Sequence, residues 1–392
     1  MKNVYIKKGC DRKIKNGYLW IFSNEIEQLD LFEKGALVNI YNSNEQFLGI
    51  GYINPNSLIA VRILSFENEH IDVNFFVKRI TSALIYRNSI CKEPFYRLVY
   101  SESDFLPGLI IDRFDNTFVL QINTYGMELL KNDIYEALIN IFGNINIIYK
   151  NDSDSRKLEG LALSVECNPN DFDGTIAIKE NDVKMCVNAL EGQKTGYFYD
   201  QRENRRLLAQ FSYDKYVVDA FCYIGSYGLH ALKGGCKRVD FVDASSFAID
   251  TVKKNIVLNN LPLDRCNTIC DDVLSYLKTL YSNKMKPDIL IIDPPAFVKS
   301  KKLLKEGIKG YINLNKWAFL AVKKASLIFT FSCSYHIDKK TFRDIVASAA
   351  KSARKKYTIV AELHQAFDHP IQPQMVETEY LKGYVLYVLD DY

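Results

Sequence analysis

The sequence predicts an α/β protein whose C-terminal half is a mostly parallel, doubly wound sheet. Before it come a small α/β domain and an N-terminal β-barrel. Three observations support this. After about residue 187, near-continuous apolar runs alternate with amphipathic stretches, the pattern of strands buried on both faces between covering helices. Before about residue 69, short strands are separated by polar turns. Between these regions the pattern is mixed. A chain of 392 residues suits two or three domains, with expected limits 1–68, 69–186 and 187–392.

The N-terminal strands are "ALVNIYN", "FLGIGYIN" and "LIAVRILSF", with turn signals such as Asn54-Pro55-Asn56. The preceding stretch is basic, with Lys7, Lys8, Arg12, Lys13 and Lys15, and Trp20 close behind. Such a patch is either a solvated face or a phosphate-contacting surface. In the middle region "VNFFVKRITSALIYRNS" and "MELLKNDIYEALINIF" carry helical spacing. "GLIIDRF" and "TFVLQIN" read as strands joined by an Asp115-Asn116 turn. The C-terminal strands are "YVVDAF", "RVDFVDA", "NTIC", "PDILIIDPP" and "SLIFTFS".

Composition narrows the function. Net charge is only +3, so any nucleic-acid partner must be held by locally grouped cations. No apolar run is long enough to span a membrane, and the N-terminus lacks the apolar core of a signal peptide. The expected location is cytoplasmic, with no membrane partner. Nine cysteines, an odd number without a Cys-x-x-Cys pair, disfavour a disulfide framework or a zinc site. A cysteine with a function should then be catalytic.

In doubly wound sheets ligands sit at the carboxyl ends of the strands, and four such ends carry suggestive residues. The first runs Asp219-Ala-Phe221-Cys-Tyr223-Ile-Gly225-Ser226-Tyr-Gly228. A glycine turn leads there into a helix expected to be capped by Ser226. It is not Gly-x-Gly-x-x-Gly, which disfavours a dinucleotide oxidoreductase. Asp243 ends the second strand, placed to accept two ribose hydroxyls, and Ser245 or Ser246 caps the following helix. Asp271-Asp272-Val273 follows the third strand, where an acceptor suits an adenine amine. Asp293-Pro294-Pro295 ends the fourth, a carboxylate on a stiff loop. Together these point to a class I S-adenosylmethionine (SAM)-dependent methyltransferase domain with a Rossmann-like sheet.

The chain resembles the large-subunit ribosomal RNA cytosine-5 methyltransferases that carry an N-terminal PUA domain. The resemblance rests on "ESDFLPGLIIDRF", "GQKTGYFYDQREN", "DAFCYIGSYG", "DDV", "DPPAF", "KGY", "TFSCS" and "DHP". It implies a PUA domain, SAM as cofactor and 23S rRNA as partner; a homodimer is compatible with the sequence. It also implies that Gln201, Asp243 and Asp272 help hold the cofactor. On these stretches the expected cofactor-binding set is Tyr199, Gln201, Arg202, Asp219, Phe221, Tyr223, Gly225, Asp243, Ala244, Ser245, Asp271, Asp272, Val273 and Asp293. Three positions depart from the family pattern: Ser226 for a second glycine, Ala296 for a frequent lysine, and Phe105 for a glycine.

Cytosine C5 is a weak nucleophile until a thiolate adds at C6, which requires covalent catalysis. Cys333, at the tip of "SLIFTFS", is the expected nucleophile, and Asp293 is expected to hold the N3/N4 edge. Cys222 is expected to be structural. Expected RNA contacts are Lys7, Lys8, Arg12, Lys13, Pro294, Pro295, Phe297, Lys299, Lys301, Lys302 and Tyr311, with Phe297 and Tyr311 as stacking candidates and His369 as a pocket-wall candidate. Two alternatives stay open. One is methyl transfer to a base nitrogen such as guanine N7, which needs no thiol. The other is a non-catalytic RNA-binding assembly factor.

Overall fold

The computed structural model describes residues 1–298 and 300–391, without the side chain of Asp391. Two compact units divide the chain. The first comprises Met1–Ile176, Asn188–Tyr199 and Phe367–Glu379; the second comprises Ala177–Val187, Asp200–Ala366 and Tyr380–Tyr392. Among the described residues no helix is long and apolar enough to cross a membrane.

The first unit holds two five-stranded sheets. In the N-terminal one, strand Lys2–Tyr5 pairs parallel with Leu37–Tyr41. Phe47–Ile53, Ile59–Ser65 and Trp20–Phe22 follow antiparallel. An antiparallel bridge between Ile6 and Ile26 continues the two edge strands and brings the sheet's edges together around Val4, Ile21, Val38, Ile40 and Ile63. The second sheet runs, in spatial order, Ser164–Asn168, Asn146–Asn151, Thr117–Ile122, Leu109–Phe114 and Phe95–Tyr100. Asp115, at φ 56°, makes the tight turn of its central hairpin. The helix Val73–Ile90 covers it, with Asp72 accepting from the Phe75 N–H at 3.0 Å as its cap. "MELLKNDIYEALINIF" is not one helix. Leu130 leaves helical geometry and divides Tyr125–Leu129 from Lys131–Phe142. Phe105, where the family resemblance implies a glycine, closes a short 3-10 turn in the left-handed region, at φ 57°.

Two stretches of the family resemblance are used inside this unit. Thr195 donates to Asp112 at 2.5 Å, and Asp112 also takes both arms of Arg97 at 2.8 and 2.9 Å. Asp368 accepts from the Arg97 N–H at 3.0 Å and from His369 Nδ1 at 2.9 Å. His369 is buried against Tyr100, with ring centroids 5.1 Å apart.

The second unit is built on a seven-stranded sheet. In chain order its strands are β1 (Tyr216–Ala220), β2 (Arg238–Asp243), β3 (Cys266–Cys270), β4 (Ile289–Ile292), β5 (Leu327–Ser332), β6 (Lys355–Leu363) and β7 (Lys382–Asp391). The spatial order is β3-β2-β1-β4-β5-β7-β6. β1 to β5 run parallel, and β7 pairs antiparallel with both β5 and β6. β1, β2, β4 and β5 are almost wholly buried, as strands covered on both faces must be. The direction of winding reverses between β1 and β4, which opens a crevice at their carboxyl ends.

The glycine turn after β1 differs in detail from its expectation. Ser226 is the first helical residue of Ser226–Lys233, and Gly225, at φ 84°, occupies the cap position. Gly228 lets this helix approach β2: a Cβ there would lie 2.2 Å from Phe241 Cε1. Alanine favours a helix over glycine by about 1 kcal/mol, but overpacking a core costs about 1–3 kcal/mol. Gly228→Ala is therefore expected to lower the denaturation midpoint, and an unchanged or raised midpoint would contradict this packing.

Candidate active site

Parallel pairing puts the ends of β1 to β5 on one rim. The loop after β1 is backbone-strained, with Phe221 at φ 64°, Tyr223 at φ 49° and Gly225 at φ 84°. Left-handed geometry at two aromatic residues costs of order 1–3 kcal/mol each. Three contacts hold it. Asp219 accepts from the Gly228 N–H at 2.8 Å, Asp243 from the Tyr223 N–H at 3.0 Å, and Asn255 donates to the Ile224 carbonyl at 3.1 Å.

Asp243 accepts a second N–H, from Ser245, at 2.9 Å. Each of its oxygens takes one backbone N–H and retains capacity for another donor. Ser245 caps the helix Ser246–Leu258 by accepting from the Ala248 N–H at 3.3 Å, and Ala244 lies between the two. Asp272 caps the helix Val273–Ser282, taking the Ser275 N–H at 2.9 Å, and Val273 begins that helix with its side chain buried. Asp271 is exposed and accepts from the Asp272 N–H at 2.7 Å. A strained glycine loop, a two-acceptor carboxylate at the second tip and acidic side chains at the third fit SAM, which offers ribose hydroxyls, an adenine amine and a positive sulfonium.

Asp293 and Cys333 emerge from adjacent parallel strands. Ile292 pairs with Thr330 and β5 runs on to Ser332, so Cys333 leaves the sheet alongside the loop that follows Asp293. The Cys333 thiol lies 3.8 Å from the Pro294 carbonyl and is half-buried. Its turn is clamped at Ser334. The Ser334 hydroxyl takes the Val298 N–H at 3.2 Å and meets the Tyr311 hydroxyl at 3.0 Å, while Lys382 donates to the Ser334 carbonyl at 2.8 Å. Lys382 also donates to the Tyr380 carbonyl at 2.6 Å and is itself buried. A lysine opening the apolar run of β7 was the overlooked sequence signal. Cys222 is buried, and burial first, then the charges of Asp219 and Asp243, push its thiol well above its ordinary value. Its thiol therefore stays protonated.

Gln201 turns its amide toward Asp293, with Nε2 3.0 Å from Oδ2. Tyr227 and Asn204, two residues the sequence did not single out, hold its oxygen. Arg202 lies 3.5 Å from the buried Glu180, which Arg205 grips with both arms at 2.6 and 2.9 Å. Tyr199 falls in the first unit, where its hydroxyl donates to the Arg113 carbonyl at 3.1 Å and its ring packs on Tyr197 and Phe114.

Among the expected RNA contacts, Pro295, Lys301 and Lys302 are exposed, Phe297 is half-buried and Pro294 is buried. Lys299 lies outside the described residues. Tyr311 corrects its expectation. It is fully buried beneath Phe297, with centroids 4.6 Å apart, and so braces the Cys333 turn rather than offering a stacking face. In the first unit Lys7, Lys8 and Arg12 are exposed. Lys13 is instead held by Glu25 at 2.7 Å over the ring of Phe22, and Lys7 donates to the Asn24 carbonyl at 2.9 Å.

Comparison with known proteins decides the family. Residues 4–66 match the PUA-like domain, and residues 149–328 match the S-adenosylmethionine-dependent methyltransferase family. Ribosomal RNA large subunit methyltransferase I of Pseudoalteromonas translucida is 38% identical over 388 residues, covering 97% of this chain and 98% of that protein. Its counterpart from Aliivibrio fischeri is 36% identical over 397 residues, covering 99% of each. The chain belongs to the ribosomal RNA large subunit methyltransferase I family. It is a SAM-dependent methyltransferase. A putative methyltransferase solved with SAH shares its fold at TM-score 0.85 and 20% identity, over 98% of this chain and 100% of that one. A putative SAM-dependent methyltransferase from Streptococcus mutans does so at TM-score 0.83 and 20% identity, with the same coverage.

One carboxyl of this methyltransferase should titrate visibly. Burial, with the Asp243 charge adding to it, pushes Asp219 up from 3.8 to about 7, against the pull of the Gly228 N–H and Arg205. The fold thus holds this proton more tightly than the unfolded chain does. The stabilisation is complete below the unfolded value and is lost as pH rises through the folded one, by up to about 1.4 kcal/mol per unit. Asp219→Asn keeps an acceptor for Gly228 without a charge. Relative to wild type, its denaturation midpoint is expected to rise between about pH 4 and pH 7 and then level off. A difference independent of pH would contradict a protonated Asp219.

Proposed function

We propose that this enzyme methylates C5 of a cytosine in large-subunit (23S) ribosomal RNA through a covalent adduct with Cys333. The observation that carries this reading is the half-buried Cys333 thiol on the carboxyl rim, 3.8 Å from the carbonyl of the Asp293-Pro294-Pro295 loop. Support for an RNA substrate comes from the curated relatives, which are named for large-subunit ribosomal RNA, and from the PUA-like match. The work would take place in the cytoplasm, where thiols stay reduced.

In this reading Asp243 holds the ribose hydroxyls of the cofactor, and Asp271 and Asp272 face its adenine. The strained Phe221–Gly225 loop lies against its methionine end. Bound SAM supplies a methyl group on a sulfonium, electrophilic toward carbon. Cys333 gives up its thiol proton to water and bonds to C6 while N3 takes a proton from water, which breaks the ring's conjugation and makes C5 a nucleophile. Asp293 holds the N3/N4 edge of the base and favours the adduct protonated at N3. After C5 has gained its methyl, water or a carboxylate takes the C5 proton, the thiolate leaves C6, and N3 returns its proton to solvent as the ring is restored. A target inside a duplex must first leave the stack, and Lys301 and Lys302, both exposed, would hold flanking phosphates.

The test is to incubate the protein with labelled SAM and 23S rRNA, naked or assembled, and to identify the product by nucleoside mass spectrometry. A 5-methylcytidine product is expected. Cys333→Ala should retain cofactor binding by calorimetry and lose at least about a thousandfold in kcat, as removal of a nucleophile does. Methyl on a base nitrogen, or an active Cys333→Ala, would overturn the reading.

A further inference from the structure

We infer that the turn directly after Cys333 is a stacking platform for RNA, with Tyr335 receiving the base next to the target; this rests on the reading above, in which Cys333 receives the target itself. The turn is Ser334-Tyr335-His336-Ile337, and both its ends are anchored. The Ile337 N–H donates to the Ser334 carbonyl at 3.1 Å, and Lys382 donates to the same oxygen at 2.8 Å. Both lone pairs of that carbonyl are thus taken. Ser334 and Ile337 are fully buried. Asp338 then caps the helix Lys339–Ser352, accepting from the Thr341 N–H at 2.6 Å. Between these anchors the corners project outward: Tyr335 is 55% exposed and His336 is half-buried.

These corner residues are not the ones a turn selects, which are Gly, Pro, Asn, Asp and Ser. The core does not need Tyr335 either. Phe297 packs on the buried Tyr311 beside the same turn, whereas more than half of Tyr335 meets solvent. Its ring meets that of His336 edge to face, with centroids 5.2 Å apart and planes at 71°, which braces it. A braced aromatic ring loses little conformational freedom when a ligand covers it. The setting makes that ligand RNA. Tyr335 is two residues from the nucleophile, so their Cα atoms are at most about 7 Å apart, and a nucleotide joined to the one on Cys333 shares that neighbourhood. Every base has a π-face, so one ring serves whatever the sequence. Lys339 and Lys340 follow on the helix, and Lys301 and Lys302 follow the Asp293 loop, all exposed. They are the local group of cations that a net charge of only +3 demands of an RNA site.

Tyr335→Leu and Tyr335→Phe test this with 23S rRNA as substrate. Leucine keeps the apolar bulk and removes the π-face. Its kcat/KM for RNA is expected to fall about fivefold to a hundredfold, through KM, as loss of one stacked base does. The SAM dissociation constant and the denaturation midpoint should stay at their wild-type values. Phenylalanine restores the ring and should recover most of the loss. The decisive arm places an abasic nucleotide on one or the other side of the methylated cytidine. On one of these two RNAs the Tyr335→Leu penalty should shrink to about twofold or less, because the base it would stack on is gone. A Tyr335→Leu enzyme within about twofold of wild type on intact RNA, or a penalty of equal size on both abasic RNAs, would overturn the inference. Product analysis of the wild type keeps the two readings apart. A nitrogen mark sinks the cytosine-5 reading and this inference with it, whereas a C5 mark with an unimpaired Tyr335→Leu sinks only the platform.

Discussion

The parallel pairing of β4 with β5 is the constraint on which the rest of the site depends. Its register, Ile292 against Thr330, fixes which residues leave the sheet side by side. Side chains in a strand alternate faces, so a slip of one residue would turn one strand's side chains to the opposite face relative to the other. Held in this register, Asp293-Pro294 and Cys333 meet at the rim without help from a flexible loop. The prolines stiffen one side of the contact. On the other side Val298, Tyr311 and Lys382 converge on Ser334 and leave the cysteine turn little freedom. The proposed catalytic geometry is inherited from the sheet.

The same region concentrates features that stability alone would not select. Two aromatic residues sit in left-handed backbone, a carboxyl is buried beside another, and a lysine is enclosed at the start of β7. Each is disfavoured in isolation. Each is also over-determined by neighbours: Asn255 and Asp243 for the loop, Gly228 for Asp219, and two backbone carbonyls for Lys382. The closely packed Gly228–Phe241 contact and the buried strands of the sheet supply the stability these features spend.

Much of this was legible in the sequence because parallel strands buried on both faces read as apolar runs, and ligands gather at their carboxyl ends. "ILIID" and "LIFTFS" therefore announced both strands and both tips. What stayed hidden depends on partners far away in the chain. Nothing near Gln201 in sequence reveals that Asp293 is its hydrogen-bond partner, and nothing near Thr195 reveals Asp112. Tyr311 looks like a stacking residue by type, and only packing shows it buried under Phe297. Ser226 looks like a cap by type, yet the turn needed a left-handed residue one position earlier, which Gly225 provides. Residue type was readable; pairing across the fold was not.

The central claim is that one particular sulfur bonds to the pyrimidine. Ribosomal RNA carrying 5-fluorocytosine tests it most directly, because fluorine at C5 cannot depart as the proton does and the methylated adduct cannot break down. With SAM present, a denaturant-stable protein–RNA complex should form, and peptide mass spectrometry should find the nucleotide on Cys333. A methylated product without any covalent complex, or a nucleotide attached to Cys222, would contradict the account.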